Sequence, residues 1–463
     1  MSERSQGWGR LPERARRAVS GSGPPTEPLA LRAAPSGVDA ATARSALSLG
    51  LRVGEAMMAV GASAADVTAT VLRVAAAYGL TSCQVDMTFT SLTIGYDPDD
   101  VPPIVLMRIV RPRGVDYERL QGITDLAARV TGGRLGLEDA HRGLDEVLSA
   151  PHPYRRAIHA LGWPGVAACV AFLLGGSWLV AVVAGTTTAV VERTIRLLNR
   201  RGLPVFFQQA AGAAIATGTA VLLVVAGAQI RASLVVAAGI VVLLAGLSLV
   251  GAAEDAISGF PVTAAARAFE VVTLTTGIVV GIAAVLDVAR RWEVPLRVID
   301  PATVTVPFAV SLAAAAAMGG SWALASYGRP RAIGVAVAAG ALAWATAAAA
   351  DLVGAGPAVA GGAAAAVVGF CGEALGDRLR VPALLVAVCG IVPLLPGLAI
   401  YRGLFAVVVD GDVAGGTAGL VGAAAVGLAL AAGVVLGRYL GRPLGGGLDR
   451  FERRVRRRAS LVD

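Results

Sequence analysis

From residue 157 onward the chain is a succession of apolar blocks, separated by short connectors that carry arginine. A helix needs roughly 20 apolar residues to cross the hydrocarbon core of a bilayer. The first block, 157–191, is long enough for two helices that meet at the sequence "GGSW". Further blocks of suitable length lie near residues 204–226, 232–253, 268–286, 302–318, 332–350, 354–372, 381–401 and 413–437. The sequence therefore predicts a mainly α-helical membrane protein with about ten transmembrane helices.

The part of the chain before residue 157 has a mixed, charged composition. Residues 1–41 are rich in Arg, Pro, Gly and Ser and lack the apolar core of a signal peptide, which predicts a disordered cytoplasmic tail. Residues 42–150 predict a small cytoplasmic α+β domain. Its pattern is two amphipathic helices, a strand in "SCQVDMTFTSLTIGY", a second strand in "PIVLMRIVR" and two more helices.

The distribution of arginine predicts the orientation of the chain in the membrane. All 40 basic residues are arginine, and they cluster beside apolar blocks as they do on the cytoplasmic side of membrane proteins. This explains the positive charge without a nucleic-acid partner. One connector, "RRWEVPLRVID", departs from the rule. We predict a multi-pass protein of the plasma (inner) membrane with both termini cytoplasmic, the second in a basic tail at 438–463. The connectors assigned to the cytoplasm carry Arg193, Arg196, Arg200, Arg201, Arg329, Arg331, Arg378 and Arg380.

An internal repeat is indicated by the sequence "GGSW", which occurs at 175–178 and again at 319–322, an offset of 144. The same offset joins Gly212 to Gly356, Gly218 to Gly362 and Gly246 to Gly390. We interpret 157–288 and 301–437 as two five-helix repeats. An odd number of crossings forces the second repeat into the membrane upside down, as in transporters with inverted repeats. Chance similarity between Gly/Ala-rich segments is the alternative.

Two prolines interrupt one of the predicted membrane helices. In "CGIVPLLPGLAIYRG", Pro393 and Pro396 remove backbone donors near the middle of the span, and Gly397 follows them. Carbonyl groups freed in this way are tolerated only against other protein or a watery cavity, which indicates a substrate or ion pathway. The repeat partner contributes Gly246 and Gly251. The alternative is a packing kink without a ligand.

Three carboxylates lie at the edges of apolar blocks: Glu254, Asp255 and Glu270. A carboxylate near hydrocarbon is costly unless it is paired, hydrated or protonated, so these residues are candidates for proton binding. Arg267, one turn before Glu270, is its predicted partner. Glu254 and Asp255 also fit a solvated loop. Glu373 and Asp377, beside Arg378 and Arg380, predict an interfacial charge cluster rather than a proton relay.

Polar side chains inside other blocks predict a lining for a small polar solute. Thr187, Gln208 and Gln209 have this position, although hydrogen bonding between helices explains them equally well. The sequence "GIVVG" at 277–281 predicts a face for close helix packing. We find no phosphate-binding loop, nucleophile elbow or metal-binding His pair, so no catalytic residue, metal or cofactor is predicted.

Three segments resemble the threonine/serine exporter family. They are "LRVGEAMMAVGASAADVTATVLRVAAAYGL" with "VDMTFTSLTI", "GLSLVGAAEDAISGFPVTAAARAFE" and "VPALLVAVCGIVPLLPGLAIYRGL". The resemblance covers residues 45–437 and implies a cytoplasmic N-terminal domain, ten membrane helices and export of threonine and serine driven by the proton-motive force. One departure is that "LVGAAED" lacks the proline that often breaks the first half in this family.

The sequence and the resemblance together predict a secondary transporter, and not an enzyme, that exports threonine and serine by proton antiport. Its partners would be these amino acids, protons and the lipid bilayer, with homo-oligomerisation left open. The alternative is a membrane-anchored enzyme whose N-terminal domain carries the chemistry.

Overall fold

The structure, a computed structural model, describes residues 39–97, 102–110, 114–152, 154, 156–228, 232–243, 246–293 and 306–443. Most of the predicted tails, at 1–41 and 438–463, lie outside this part of the chain. The described residues form a small N-terminal domain with a β-sheet, followed by a larger part that is entirely helical.

The N-terminal domain combines four helices with a three-stranded antiparallel sheet. Its helices are α1 (Ala40–Ala59), α2 (Ala64–Ala77), α3 (Tyr117–Thr131) and α4 (Leu137–Ser149). Its strands are β1 (Cys83–Met87), β2 (Ser91–Tyr96) and β3 (Ile104–Ile109), in the order β1-β2-β3. The core lies between the sheet and the helices, where Leu92 and Ile94 of β2 are fully buried together with Leu47 of α1. This agrees with the predicted α+β pattern.

One predicted strand is in fact a hairpin. The sequence "SCQVDMTFTSLTIGY" contains both β1 and β2, which pair with Val85 opposite Ile94. The turn between them is closed by Thr88 and Ser91, whose hydroxyl oxygens are 2.7 Å apart and whose backbones also bond. Threonine and serine support such turns because their hydroxyls hydrogen-bond to nearby backbone. The turn residues are β-branched or polar, and such residues also occur within strands. The sequence therefore predicts one continuous strand where the structure has a turn.

The helical part contains six helices before residue 294 and six after residue 305, preceded by one short turn of helix, α5 (Arg156–His159). The first set is α6 (Gly162–Leu173), α7 (Trp178–Arg200), α8 (Val205–Val225), α9 (Ala232–Val241), α10 (Gly246–Ile257) and α11 (Pro261–Arg291). The second set is α12 (Phe308–Ala325), α13 (Pro330–Leu352), α14 (Pro357–Leu379), α15 (Ala383–Ile391), α16 (Gly397–Phe405) and α17 (Val413–Gly441). Seven of them are long and apolar enough to cross a membrane: α7, α8, α11, α12, α13, α14 and α17.

The two sets repeat the same order of elements, but the offset is not the predicted 144. Helices α7, α8 and α11 begin at 178, 205 and 261, and α13, α14 and α17 begin at 330, 357 and 413, a difference of 152 each time. Packing repeats as well. A Cβ added at Gly281 of α11 would overlap the carbonyl oxygen of Ala210 in α8, and a Cβ at Gly433 of α17 would overlap that of Gly362 in α14. These positions also differ by 152.

The two "GGSW" sequences, on which the offset of 144 rested, are not structurally equivalent. The first lies in the turn between α6 and α7, where Gly175 has φ of 75° and Ser177 caps α7. The second lies inside α12, where Gly319 allows close approach to the backbone of Ala336 in α13. Glycine forms a turn in the first sequence and allows close helix packing in the second, so the two matching sequences are not structurally equivalent.

In each set the fourth segment is interrupted. Between α15 and α16 the chain makes a short 3₁₀ turn at Val392–Leu394, and Leu395 is extended. The equivalent segment, predicted as one helix at 232–253, also divides, into α9 and α10, although it has no proline. Leu243 follows the end of α9, is 5 % exposed and packs where a Cβ on Gly212 of α8 would lie. The interruption between α9 and α10 has no proline, and the residue beside it is instead buried against a neighbouring helix.

Candidate functional site

The N-terminal domain rests directly on the helical part. The backbone N–H of Tyr117, at the start of α3, donates to the carbonyl oxygen of Ser326 at 3.0 Å. Thr263 of α11 donates to the carbonyl oxygen of Met87 at 3.4 Å. Tyr327 is stacked between His152 and His159, with 3.9 Å between ring centroids on each side. The domain therefore contacts both sets of helices.

The most concentrated charge in this contact surrounds Arg438, in the last turn of α17. Its guanidinium lies 2.8 Å from Asp66 of α2, 3.3 Å from Glu254 of α10 and 3.4 Å from Glu373 of α14. We call these four residues the Arg438 cluster. The Arg438 side chain is 15 % exposed, so water screens these ion pairs only weakly. One guanidinium faces three carboxylates, and the cluster is short of positive charge.

Asp66 is the carboxylate that binds Arg438 most closely. Arg438 Nη2 donates to both of its carboxylate oxygens, at 2.8 and 3.0 Å. Burial raises the pKa of Asp66, but the Arg438 guanidinium and a hydrogen bond with Ser63 outweigh burial and hold that pKa below its usual value. The N-terminal domain is therefore held by an ionised aspartate.

A second ion pair lies beside the Arg438 cluster. Asp255, 1 % exposed, is 3.1 Å from the Nε of Arg267, and its other oxygen accepts the backbone N–H of Ala64 at 3.2 Å. Arg267 was predicted to pair with Glu270, and its partner is instead Asp255. The guanidinium reaches Asp255 by passing over Gly251, where an added Cβ would come within 2.5 Å of Arg267 Nη1.

A cavity of about 60 Å³ lies between the N-terminal domain and these helices. Its polar lining comes from Ser63 and Tyr117 of the domain and from Glu254 and Arg267 of the helical part. The apolar lining comes from the same domain and from α10, α15 and α17: Val60, Val115, Leu247, Val250, Leu384, Ala387, Val388, Ile391 and Val434. Gly61 and Gly251 complete it. Few, convergent polar groups in an apolar wall are also found in small-molecule sites, although the volume of this cavity is well below the roughly 300 Å³ at which ligand pockets usually begin.

The proline interruption lies next to this cavity without lining it. Ile391, the last residue of α15, contributes to the wall, whereas Pro393, Pro396 and Gly397 do not. Pro396 and Gly397 are buried, and Val392 is 2 % exposed, so the interruption is enclosed by protein. Gly246 and Gly397 occupy matching places in the two sets, as the first residues of α10 and α16.

The other predicted residues lie elsewhere. Glu270 is half-buried, and the described residues supply no ion pair for it. Thr187 and Gln208 are buried, and Gln208 donates to the carbonyl oxygen of Leu203 at 2.7 Å. Gln209 Oε1 is buried and lacks a hydrogen-bond partner among the described residues. None of these four lines the cavity. The "GIVVG" prediction is confirmed, because Gly277 and Gly281 both pack on the backbone of α8.

Sequence reasoning missed Asp66, Tyr117 and Arg438. Arg438 was assigned to the basic tail, although the apolar pattern continues around it to Gly441. Glu373 was assigned to an interfacial cluster with Arg378 and Arg380, and its partner is Arg438. A single arginine within an apolar helical repeat was the available signal, since such a residue requires a buried partner.

Comparison with known proteins gives consistent matches over the chain. A family model described as "Putative threonine/serine exporter" matches residues 48–289, and one described as "Threonine/Serine exporter, ThrE" matches residues 309–440. A "Probable threonine/serine exporter" of Mycobacterium tuberculosis is 40% identical over 423 residues, which is 90% of this chain and 80% of the relative. A "Threonine/serine exporter" of Corynebacterium glutamicum is 35% identical over 400 residues, 84% of this chain and 81% of the relative. No solved structure matches.

Proposed function

The chain belongs to the threonine/serine exporter family, and on this premise we propose that it exports threonine and serine across the plasma membrane in exchange for protons. The described helices fit a multi-pass membrane protein. The first family model begins at residue 48 and runs through the N-terminal domain into α11, which supports a role for the domain in export rather than as a separate enzyme.

The observation that carries proton coupling is the Arg438 cluster. Asp66, Glu254 and Glu373 come from three different elements and share one guanidinium. When all three are ionised, they outnumber the Arg438 guanidinium by two charges. Arg73 acts on Asp66 and Arg267 acts on Glu254 only from beyond salt-bridge distance, so the excess negative charge is costly where water is scarce. A proton relieves this cost, and so does the ammonium group of an amino acid. Because either cation weakens binding of the other, the cluster supplies the reciprocal coupling that antiport requires.

An inverted repeat is the second part of the proposal. Helix α11 begins beside the N-terminal domain, at the contact between Thr263 and Met87. Its equivalent, α17, ends beside the same domain, at the contact between Arg438 and Asp66. Equivalent helices that approach one domain with opposite ends support repeats of opposite orientation, with a cytoplasmic domain capping both. Inverted repeats can exchange conformations about a shared site, which is the basis of alternating access.

The proposal is tested by efflux of labelled threonine from proteoliposomes that contain the full-length protein. We expect efflux from the unaltered protein to rise with an imposed pH gradient. Glu254→Gln removes one titrating group of the Arg438 cluster, and this variant should lose most of that dependence. Glu138→Gln, an exposed change in α4, is the matched control and should behave as the unaltered protein. Efflux that ignores the gradient in the unaltered protein would exclude antiport.

Glu270 stays a predicted pathway residue and is tested in the same assay. If Glu270→Gln removes the pH dependence and Glu254→Gln does not, the titrating group lies on α11 and not in the Arg438 cluster.

A further inference from the structure

The cavity between the N-terminal domain and the helices has polar groups of three kinds. Arg267 supplies a cation, Glu254 an anion and Tyr117 a hydroxyl, whereas the Ser63 hydroxyl is already bonded to Asp66. An α-amino acid with a hydroxyl side chain carries the complementary groups, namely a carboxylate, an ammonium and a hydroxyl. The hydroxyl-bearing wall belongs to the N-terminal domain, and the charged wall belongs to α10 and α11.

We propose that this cavity is the amino-acid site, and that Tyr117 of the N-terminal domain selects the hydroxyl of the substrate. This inference rests on the proposed function. Arg267 binds the substrate carboxylate, Glu254 binds its ammonium, and the N-terminal domain completes the site instead of serving only as a regulator.

The state of Tyr117 is the observation that points to a ligand. The residue is 2 % exposed, and its hydroxyl lies beside the indole N–H of Trp322. An indole can donate a hydrogen bond but cannot accept one, so the proton of the Tyr117 hydroxyl has no acceptor among the described residues. A buried donor without an acceptor is unfavourable, and such groups are rare unless they have a functional role. Burial raises the pKa of Tyr117 well above its usual value, so the hydroxyl keeps its proton and can donate. A substrate hydroxyl would satisfy it.

The backbone holds Tyr117 firmly in this position. Its N–H donates to Ser326 at 3.0 Å, and the preceding Asp116 caps α3 by accepting the N–H of Arg119 at 3.0 Å. The ring therefore stands between the N-terminal domain and α12, at a fixed place in the cavity wall. Fixed polar groups discriminate well, because a ligand that fails to pair with them leaves them unsatisfied.

Arg267 is also held in a defined place. Asp255 binds its Nε at 3.1 Å, and Gly251 leaves space for Nη1. Planar guanidinium groups bind carboxylates through parallel hydrogen bonds, so a positioned arginine is suited to the carboxylate of an amino acid. Glu254 already faces Arg438, and a substrate ammonium would add a second cation to a cluster that is short of positive charge.

The size of the cavity restricts the side chain. About 60 Å³ is room for about four or five water-sized groups, so even serine requires a small widening. Leu247, Val250 and Ile391 lie in the apolar wall, where they suit the methyl group of threonine. Larger side chains would require the N-terminal domain to separate from the helices.

The test is counterflow of labelled threonine into proteoliposomes that contain the full-length protein, with unlabelled threonine, serine, valine or alanine as competitors. Valine matches threonine in shape and lacks the hydroxyl. We expect Tyr117→Phe to reduce the preference for threonine over valine about tenfold. Because the proton of this hydroxyl has no acceptor in the described part of the chain, the change should have little effect on folding, which the Tm of the variant checks. Tyr154→Phe is the matched control: Tyr154 also has a buried hydroxyl without a described partner, but it does not line the cavity.

Gly251→Ala tests the charged wall, because the new methyl group would displace the Arg267 guanidinium. We expect threonine and valine to lose affinity equally, about tenfold or more, since both carry the carboxylate. Gly218→Ala in α8, where an added Cβ meets nothing within 4 Å, should leave affinity unchanged.

Two results separate failure of this inference from failure of the proposed function. If the unaltered protein shows no counterflow of threonine or serine, the proposed function and this inference both fall. If counterflow occurs and Tyr117→Phe keeps the full preference for threonine over valine, only the assignment of Tyr117 falls. Unchanged affinity in Gly251→Ala would likewise overturn the assignment of Arg267.

Discussion

Asp66 and Arg438 join the N-terminal domain to the last long helix through two hydrogen bonds, in which Arg438 Nη2 lies 2.8 and 3.0 Å from the two oxygens of one carboxylate. These residues are 372 positions apart in the chain. Glu254 and Glu373 face the same guanidinium, so one arginine connects the N-terminal domain with both sets of helices. A movement of α17 relative to α10 or α14 must therefore either carry the domain with it or break one of these ion pairs.

The first prediction concerns the stability of this connection. Arg438→Gln leaves three carboxylates without their guanidinium, and we expect a loss of about 3–5 kcal/mol in stability. It would be measured as a lower Tm of the detergent-solubilised protein. Asp66→Asn should cost less, about 1–3 kcal/mol, because Arg438 keeps two partners. The double variant should be more stable than Arg438→Gln alone.

Arg291→Gln is the matched control for this series. Arg291 lies in the last turn of α11, the equivalent of α17, and forms an exposed ion pair with Asp287 at 2.7 Å. Exposed pairs contribute little, so its Tm should stay near that of the unaltered protein. Equal losses in Arg291→Gln and Arg438→Gln would contradict a special role for the Arg438 cluster.

The second prediction is a pH dependence carried by Asp66. Its pKa is lower in the folded protein than the ordinary aspartate value of 3.8. The folded state thus binds a proton less readily than the unfolded state, and the stabilisation is complete above the unfolded pKa and is lost as pH falls through the folded pKa. Burial and the neighbouring Asp66 raise the pKa of Glu254 to about 7, so the comparison is made in the Glu254→Gln background, which removes that titration. In this background the difference in Tm made by Asp66→Asn should be constant from about pH 7 to 5 and shrink below about pH 4. A difference that vanishes near pH 6 would assign the effect to another group.

Local sequence patterns were sufficient for the seven long membrane-type helices and for the family, but they predicted about ten membrane-spanning helices. Hydropathy gives the long membrane-type helices because each needs only a contiguous apolar run. The packing face at Gly277 and Gly281 was predicted for the same reason, since its spacing is local. The α+β character of the N-terminal domain also follows from local periodicity, although the turn at Thr88 and Ser91 was read as strand.

The site could not be predicted in the same way because its residues are distant in sequence. Nothing local indicates that Asp66 meets Arg438, or that Tyr117 of the N-terminal domain lies in one cavity with Arg267 of α11. The repeat offset failed for a different reason. The chain has 58 glycines, and short glycine-containing sequences match by chance. In one copy of such a match glycine forms a turn, and in the other copy it permits close helix packing. Only the helix boundaries distinguish these two uses of glycine. They give an offset of 152 residues between the two sets of helices, instead of 144.

The third prediction uses the repeated glycine contacts to test that the two sets are equivalent. Gly281 lies against the backbone of Ala210, and Gly433 lies against the backbone of Gly362. A methyl group at either glycine would force the two long helices apart, at a cost of about 1–3 kcal/mol. Gly281→Ala and Gly433→Ala should therefore lower the Tm by similar amounts. Gly422→Ala, in α17 with nothing within 4 Å of an added Cβ, should not lower it. A large loss in one variant and none in the other would mean that the two helix pairs are not equivalent in packing.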